Sequence, residues 1–376
     1  MDEHVIHRHN HGIDPVLDAW GWEIPVYLFL GGLVAGLMVI AGMRLLLARP
    51  RVRQPMVCWT AGPWIALALL SVGMLALFLD LSHKACVWRL YLTFQVTSPM
   101  SWGAWILLAV YPALAANALL HLPVALPALT SRFPVLRRVS DRLLARPRVV
   151  LAIALANIVL GVGLGVYTGL LLGTLGARPL WASAVLGPLF LFSGLSTAAA
   201  LLHAILVLSS PAGERPAFAD FLIARLTRWP QATPPAGEET GFAQAPDPAR
   251  LCSRSPLQPR ALRVESEAPE LLQADNSFLT VEAALLGTFL LGHTTASAVH
   301  RQAADLLLTG PYAAVFWVFV VGLGLLLPLT LQHFELQHRI RHTLAPSLLV
   351  LLGGLVLRFV FVQAGQASHW AATALH

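Results

Sequence analysis

Apolar residues in this sequence come in unbroken runs rather than at helical or strand spacing. Eight stretches are apolar on every face, at 25–47, 58–81, 102–121, 150–173, 181–208, 278–297, 311–331 and 344–365. A helix needs about 20 apolar residues to cross the hydrocarbon core of a bilayer. A spanning strand would alternate with period two and end after about 10 residues. A helix also satisfies its own backbone groups, which lipid cannot do for it. The pattern therefore predicts an all-α membrane protein with about eight transmembrane helices.

The polar stretches divide the chain. Residues 1–24 form a polar N-terminal segment without an apolar core, so no cleavable signal peptide is expected. Residues 25–208 hold the first five spans. Residues 209–277 are rich in Pro, Ala, Arg, Gln and Glu, and "PPAGEETGFAQAPDPAR" reads as a flexible insert, better suited to a solvated tether than to a folded unit. Residues 278–376 hold the last three spans and the C-terminal tail.

Composition agrees with the runs. Of 376 residues 57% are hydrophobic and 12% charged, and the mean hydropathy is +0.69. A soluble domain carries about 25% charged residues. The excess of 25 basic over 19 acidic residues would suggest nucleic acid in a soluble protein. Here nineteen of the 25 basic residues lie at or in the connections after the first, third, fifth and seventh spans, and five lie on the other side. Cytoplasmic loops collect Lys and Arg. No nucleic-acid partner is expected, and both termini are placed in the periplasm, with the chain in a bacterial inner (cytoplasmic) membrane. Leaving out the long insert keeps the split at twelve to five.

Cofactor chemistry is restricted by the ligands on offer. The three cysteines form no CxxC, so neither an iron–sulfur cluster nor structural zinc is expected in this chain. The histidine-rich start (His4, His7, His9, His11) reads as a solvated tail. A buried haem needs axial histidines at matched depth on facing helices. His203 lies near the inner end of the fifth span and His293 in the outer half of the sixth, so no haem is expected either. Gly161, Gly165, Gly169 and Gly173 share one helix face, as do Gly32 and Gly36, and four-residue spacing of small side chains suits close helix packing.

Ionisable groups inside a bilayer are costly and need a reason. Asp80 ends the second span, Glu282 lies about one turn inside the sixth, and Arg358 stands about 20 Å along the eighth, too deep to reach the surface easily. Polar and aromatic residues also gather at the outer ends of the first four spans. "WGWEIPVYLFLGG" (20–32), "LDLSHKACVWRLYL" (79–92), "TSPMSWGAW" (97–105) and "YTGLLLGTLGARPLW" (167–181) bring in Glu23, Tyr27, Asp80, His83, Arg89 and Tyr167. The aromatics alone would suit an interfacial belt. Together with an acid and a histidine beside apolar helices, they suit a quinone: hydrogen-bond donors and a proton-exchanging acid for the headgroup, an apolar slot for the tail.

These segments resemble the NrfD/polysulfide reductase membrane-subunit family. The resemblance rests on "PVYLFLGGLVAG" in the first span, "LDL…WRLYL" running into "SPMSWGAW", "YTG…RPLW" between the fourth and fifth spans, and "GGLVLR" (353–358) in the eighth. It covers nearly the whole chain outside 209–277. It implies two four-helix bundles, no cofactor of the chain's own, and a quinone, menaquinone or ubiquinone, bound near the periplasmic face. It further implies a ferredoxin-like iron–sulfur subunit docked on that face and serving a molybdopterin or multihaem catalytic subunit. Tyr27 and Tyr167 match positions near the headgroup. Glu23 and Ile24 stand where some relatives have polar hydrogen-bonding residues, and the Ile24 side chain cannot hydrogen-bond.

The expectation is thus a membrane anchor of a multisubunit respiratory oxidoreductase, quinone-reactive but not a stand-alone enzyme. Tyr27 and Tyr167, with Glu23 and Arg89 close by, would hold the headgroup. Asp80 and His83 would exchange its protons, since carboxylate and imidazole can be tuned toward neutral pH. His203, Glu282, His293 and Arg358 either line a proton path from the cytoplasm or merely pair within the bilayer, and the second reading is preferred. A haem b anchor, a secondary transporter and a purely structural anchor are the alternatives.

Overall fold

The computed structural model describes residues 20–47, 57–81, 83–92, 95–174, 178–209, 260–337 and 343–368. Among them there is no strand. Twelve helices are numbered here: α1 (Glu23–Leu47), α2 (Val57–Asp80), α3 (Trp88–Leu92), α4 (Pro99–Ala125), α5 (Pro127–Arg132), α6 (Pro134–Leu144), α7 (Pro147–Gly173), α8 (Leu186–Leu208), α9 (Arg260–Thr295), α10 (Ala298–Leu308), α11 (Ala313–Leu336) and α12 (Ala345–Ala367). Eight of them, α1, α2, α4, α7, α8, α9, α11 and α12, are long and apolar enough to cross a membrane. Proline opens α4, α5, α6 and α7, where its missing N–H has no intrahelical partner to lose. Glu23 in the first turn of α1 and Arg44 in its last turn each face the helix-dipole end they favour.

The long helices form two rings of neighbours. In the first, α1 meets α2, α2 meets α4, α4 meets α7 and α7 returns to α1; in the second, α8, α9, α11 and α12 do the same in order. The rings share a broad seam of α1 and α7 against α8, and α1 also touches α12. The seam is close because its small residues let backbones meet: a Cβ at Gly36 would collide with the Gly194 carbonyl, and one at Gly194 with Gly32. The ladder on α7 packs likewise, Gly161 against Ala35, Val39 and Met38 of α1, and Gly169 against Leu186 and Gly187 of α8.

Two boundaries and the form of one helix differ from the sequence reading. The fifth span starts at Leu186 rather than 181, because Arg178 to Trp181 leave helical geometry to tie other elements together. Arg178 Nη1 donates to the Ser368 carbonyl (2.8 Å), Trp181 Nε1 donates to the Phe361 carbonyl (2.8 Å), and the Trp181 ring stacks on Trp20 at 5.3 Å. The sixth helix starts at Arg260, well ahead of 278, and Leu271, Leu272 and Asp275 before the apolar run are buried. Of the 209–277 insert, residues 210–259 lie outside the described residues and 260–277 are helical. Finally, α11 contains a π-helical segment, Phe316–Leu326, whose Gly324 lies against Gly353 of α12. The 1–24 segment is described only from Trp20.

Candidate functional site

A cavity of about 550 Å³ opens at one end of the first ring, between α1, α2, α4, α7 and the 83–91 segment. Five residues singled out from the sequence line it: Tyr27, Asp80, His83, Arg89 and Tyr167. Leu77, Met100, Leu107 and Leu171 supply an apolar wall. The chain folds this way because Asp80 ends an apolar run and His83 and Arg89 follow it, while Tyr27 and Tyr167 lie one to two turns inside theirs. The run holds the helix in the membrane, and its end turns present the polar groups at the border.

The two phenols are the buried part of the site. Tyr27 is 3% exposed and Tyr167 8%, and neither hydroxyl has a hydrogen-bond partner among the described residues. Both side chains are buried while their hydroxyls face the cavity, so two donors on one wall can serve an acceptor placed there. Asp80 and His83 stand at the rim, His83 exposed just before the short 3₁₀ turn Lys84–Cys86. The Arg89 guanidinium lies 5.5 Å over the Trp88 ring. Glu23 is half-buried in the first turn of α1 and within electrostatic reach of Asp80, but it does not line the cavity. Ile24 is buried.

Two members of the site went unread in the sequence. Tyr91 also lines the cavity, and burial pushes its phenol above the ordinary tyrosine range, so it remains a neutral donor. Its signal was present in "WRLYL" but was indistinguishable from an interfacial belt. Gly103 is the other. A Cβ there would overlap the Tyr167 ring, so the missing side chain is what seats that phenol. The turn before it is pinned by the Gln95 N–H donating to Ser101 Oγ (3.0 Å) and Trp102 Nε1 donating to the Val96 carbonyl (2.7 Å).

The four residues considered for a proton path do not form one group. Glu282 and Arg358 do come together inside the second ring. Arg358 Nη1 donates to Ser193 Oγ and to the Gly354 carbonyl (3.1 Å), Nη2 donates to the Phe190 carbonyl (3.1 Å), and the guanidinium lies 4.8 Å over the Phe190 ring. Ser196 Oγ donates to Glu282 Oε2 at 3.3 Å, and Glu282 and Arg358 interact electrostatically. A void of about 10 Å³ beside Glu282 matches one water. His203 lies elsewhere, its Nδ1 2.9 Å from Ser347 Oγ. His293 is at the other end, its ring nitrogens facing the Phe289 (2.9 Å) and Pro179 (3.3 Å) carbonyls. Phe190, Phe361 and Phe289 stand between Arg358 and His293, with successive centroids 6.0 and 5.1 Å apart. One buried pair was missed altogether: Gln332 Nε2 donates to Asp275 Oδ2 at 2.6 Å. Asp275 falls in the stretch read as insert, which hid it. Among the described residues no three His, Cys, Asp or Glu cluster as metal ligands.

Eight membrane-length helices, a glycine-packed seam and a cavity with both apolar and hydrogen-bonding walls define a multi-pass membrane protein that can receive an amphipathic ligand at one face. The sequence matches the family described as "Polysulphide reductase, NrfD" over residues 10–224 and 260–369, and the chain belongs to that family. It is 28% identical over 360 residues to the C subunit of the polysulfide reductase of Wolinella succinogenes, covering 92% of this chain and 94% of that one. It is likewise 28% identical over 360 residues to the protein NrfD of Escherichia coli, covering 92% and 95%. Against the NrfD homolog of Haemophilus influenzae the identity is 24% over 356 residues, covering 92% and 94%.

Proposed function

We propose that this chain is the quinone-reactive membrane subunit of a respiratory oxidoreductase, exchanging electrons between a quinone pool and an iron–sulfur partner. The observation that carries the reading is the pair of buried phenols, Tyr27 and Tyr167, facing one cavity without a partner among the described residues. A bound menaquinone or ubiquinone supplies the chemistry, a transfer of two electrons and two protons. The chain's own part is positional. Tyr27 and Tyr167 donate hydrogen bonds to the two-carbonyl headgroup, the leucine and methionine wall takes the apolar tail, and Asp80 and His83 carry protons between headgroup and solvent. Glu23 acts on Asp80 through its charge, and Arg89 adds a cation at the rim.

Proton exchange belongs on the Asp80–His83 side. The aromatic barrier of Phe190, Phe361 and Phe289 supports this, as do the separate placements of His203 and His293. The partner on the same face is a ferredoxin-like subunit serving a molybdopterin or multihaem catalytic subunit. In this reading the chain sits in the bacterial inner membrane, and the arginine bias supports a periplasmic location for that face and both termini.

Removing single hydroxyls tests the site. Tyr27→Phe and Tyr167→Phe keep the rings and should slow quinone turnover of the assembled complex. A lost neutral hydrogen bond costs about 0.5–1.5 kcal/mol, so each rate falls roughly 2- to 12-fold. Unchanged kinetics in both variants and in the double variant would take the phenols out of the site. Orientation is tested separately by reporter fusions. A fusion after His376 should report periplasm and one within 231–248 cytoplasm, and the reverse pattern at both overturns the assignment.

A further inference from the structure

Between α4 and α7 the chain makes two short helices that neither the cavity nor the buried charges require. α5 and α6 follow the end of α4 directly, and α4 and α7 are each 27 residues long, about 40 Å. That length exceeds the roughly 30 Å hydrocarbon core, so the α5–α6 connection lies at headgroup level. α6 has two unlike faces. Leu136, Val139, Ser140 and Leu143, at helical spacing, turn inward, and Ser140 Oγ, fully buried, donates to the Leu120 carbonyl of α4 at 3.3 Å. Arg137, Arg138 and Arg142 are on the other face and exposed, and Arg132, Arg146 and Arg148 extend the same basic stretch. The only acid between Pro127 and Arg148 is Asp141. No hydrogen bond or ion pair among the described residues engages these six guanidiniums.

Apolar side chains frame the arginines. Leu126, Leu129, Phe133, Val135 and Leu144 are all more than a third exposed, Val135 as much as 63%. A water-facing basic loop has no use for these residues, and a spanning segment has no use for the arginines. The combination is that of a helix lying in the plane of the interface, its apolar groups among acyl chains and its cations among phosphates.

We propose that α6 and its flanks form a binding surface for anionic phospholipid, with Arg137, Arg138 and Arg142 holding headgroup phosphates while Phe133, Val135 and Leu144 enter the upper acyl region. Arginine suits the task because its planar fork matches phosphate oxygens two at a time. Charge complementarity selects the occupant, since an excess of five positive charges over this stretch favours phosphatidylglycerol over a zwitterionic lipid. The surface is independent of the quinone reading.

The test uses the full chain, or its complex, reconstituted in bilayers of equal phosphatidylglycerol and phosphatidylcholine. The lipid retained after mild extraction is measured by mass spectrometry, and the boundary preference by spin-labelled forms of both lipids. The unaltered protein should retain phosphatidylglycerol preferentially. The combined variant Arg137→Gln, Arg138→Gln, Arg142→Gln should lose that preference about tenfold or more, since each basic residue near a charged surface contributes several-fold. Should that variant not fold, salt on the unaltered protein decides: raising it from about 0.1 to 1 M shortens screening from roughly 10 to 3 Å and should reduce the preference. Equal retention of both lipids by the unaltered protein overturns the proposal, as does a preference indifferent to salt or to the triple variant. Loss of a co-purifying protein from the variant, with lipid retention unchanged, also overturns it and assigns the surface to that protein.

Discussion

Gly103→Leu is expected to lower quinone turnover by about 100-fold while leaving the complex assembled. The Tyr167 ring occupies the space that any Cβ at position 103 would need, so even alanine must push it aside. Leucine in addition fills the cavity next to Ala104 and Leu107, where the ligand would lie. A displacement of about 1 Å at a reacting group can cost 10²-fold in rate. Helix α4 should tolerate the change, because leucine is a better helix former than glycine by up to about 1 kcal/mol. The matching control is Gly163→Ala on α7, where nothing lies within 4 Å of the added atom and turnover should stay at the level of the unaltered chain. Rates on a soluble quinone analogue, with subunit co-purification as the assembly check, decide the matter. Should Gly103→Leu keep more than half the rate, Tyr167 is not where the headgroup is held.

Arg358→Gln is expected to damage the protein itself. The guanidinium is 1% exposed and donates to Ser193, the Gly354 carbonyl and the Phe190 carbonyl. Without it those acceptors lose their donor and Glu282 is left as a buried acid with its cation gone. A buried acceptor left without its donor costs about 1–3 kcal/mol, and this change removes the donor from three. The variant should accumulate poorly and unfold at lower temperature in detergent. Glu282→Gln should be much milder, because the amide can still bond Ser196 and Arg358 keeps its three acceptors. The double variant should recover part of the loss seen in Arg358→Gln. Thermal unfolding of all three in one detergent measures this, and equal stability of Arg358→Gln and the unaltered protein would show that the pair contributes nothing.

The same Glu282→Gln variant distinguishes the two uses of the buried charges. Quinone turnover should persist in it if, as proposed, Asp80 and His83 exchange the protons. A membrane potential that builds in sealed vesicles during turnover and vanishes in Glu282→Gln would instead make Glu282 part of a transmembrane path.

Eight helices were legible in the sequence because lipid offers the backbone no hydrogen bonds, so a long apolar run in a membrane protein has one solution. Tyr27, Asp80, His83, Arg89 and Tyr167 were legible as a group because each lies within about two turns of a run's end or in the short stretch after it, and run ends on one side share a level. What the runs could not show is which helix faces touch. Lipid tails are as apolar as a helix interface, so α1, α2, α4, α7 and α8 carry almost no amphipathic signal to orient them. Cross-helix distance alone decided that Gly103 seats Tyr167, that Tyr91 joins the cavity while Glu23 stands outside it, and that Arg358 meets Ser193 while His293 packs on Phe289 at the far end of a row of three phenylalanines. The Asp275–Gln332 bond and the Arg178–Trp181 tie were hidden for the same reason: each joins residues far apart in the sequence, brought together only when whole helices pack.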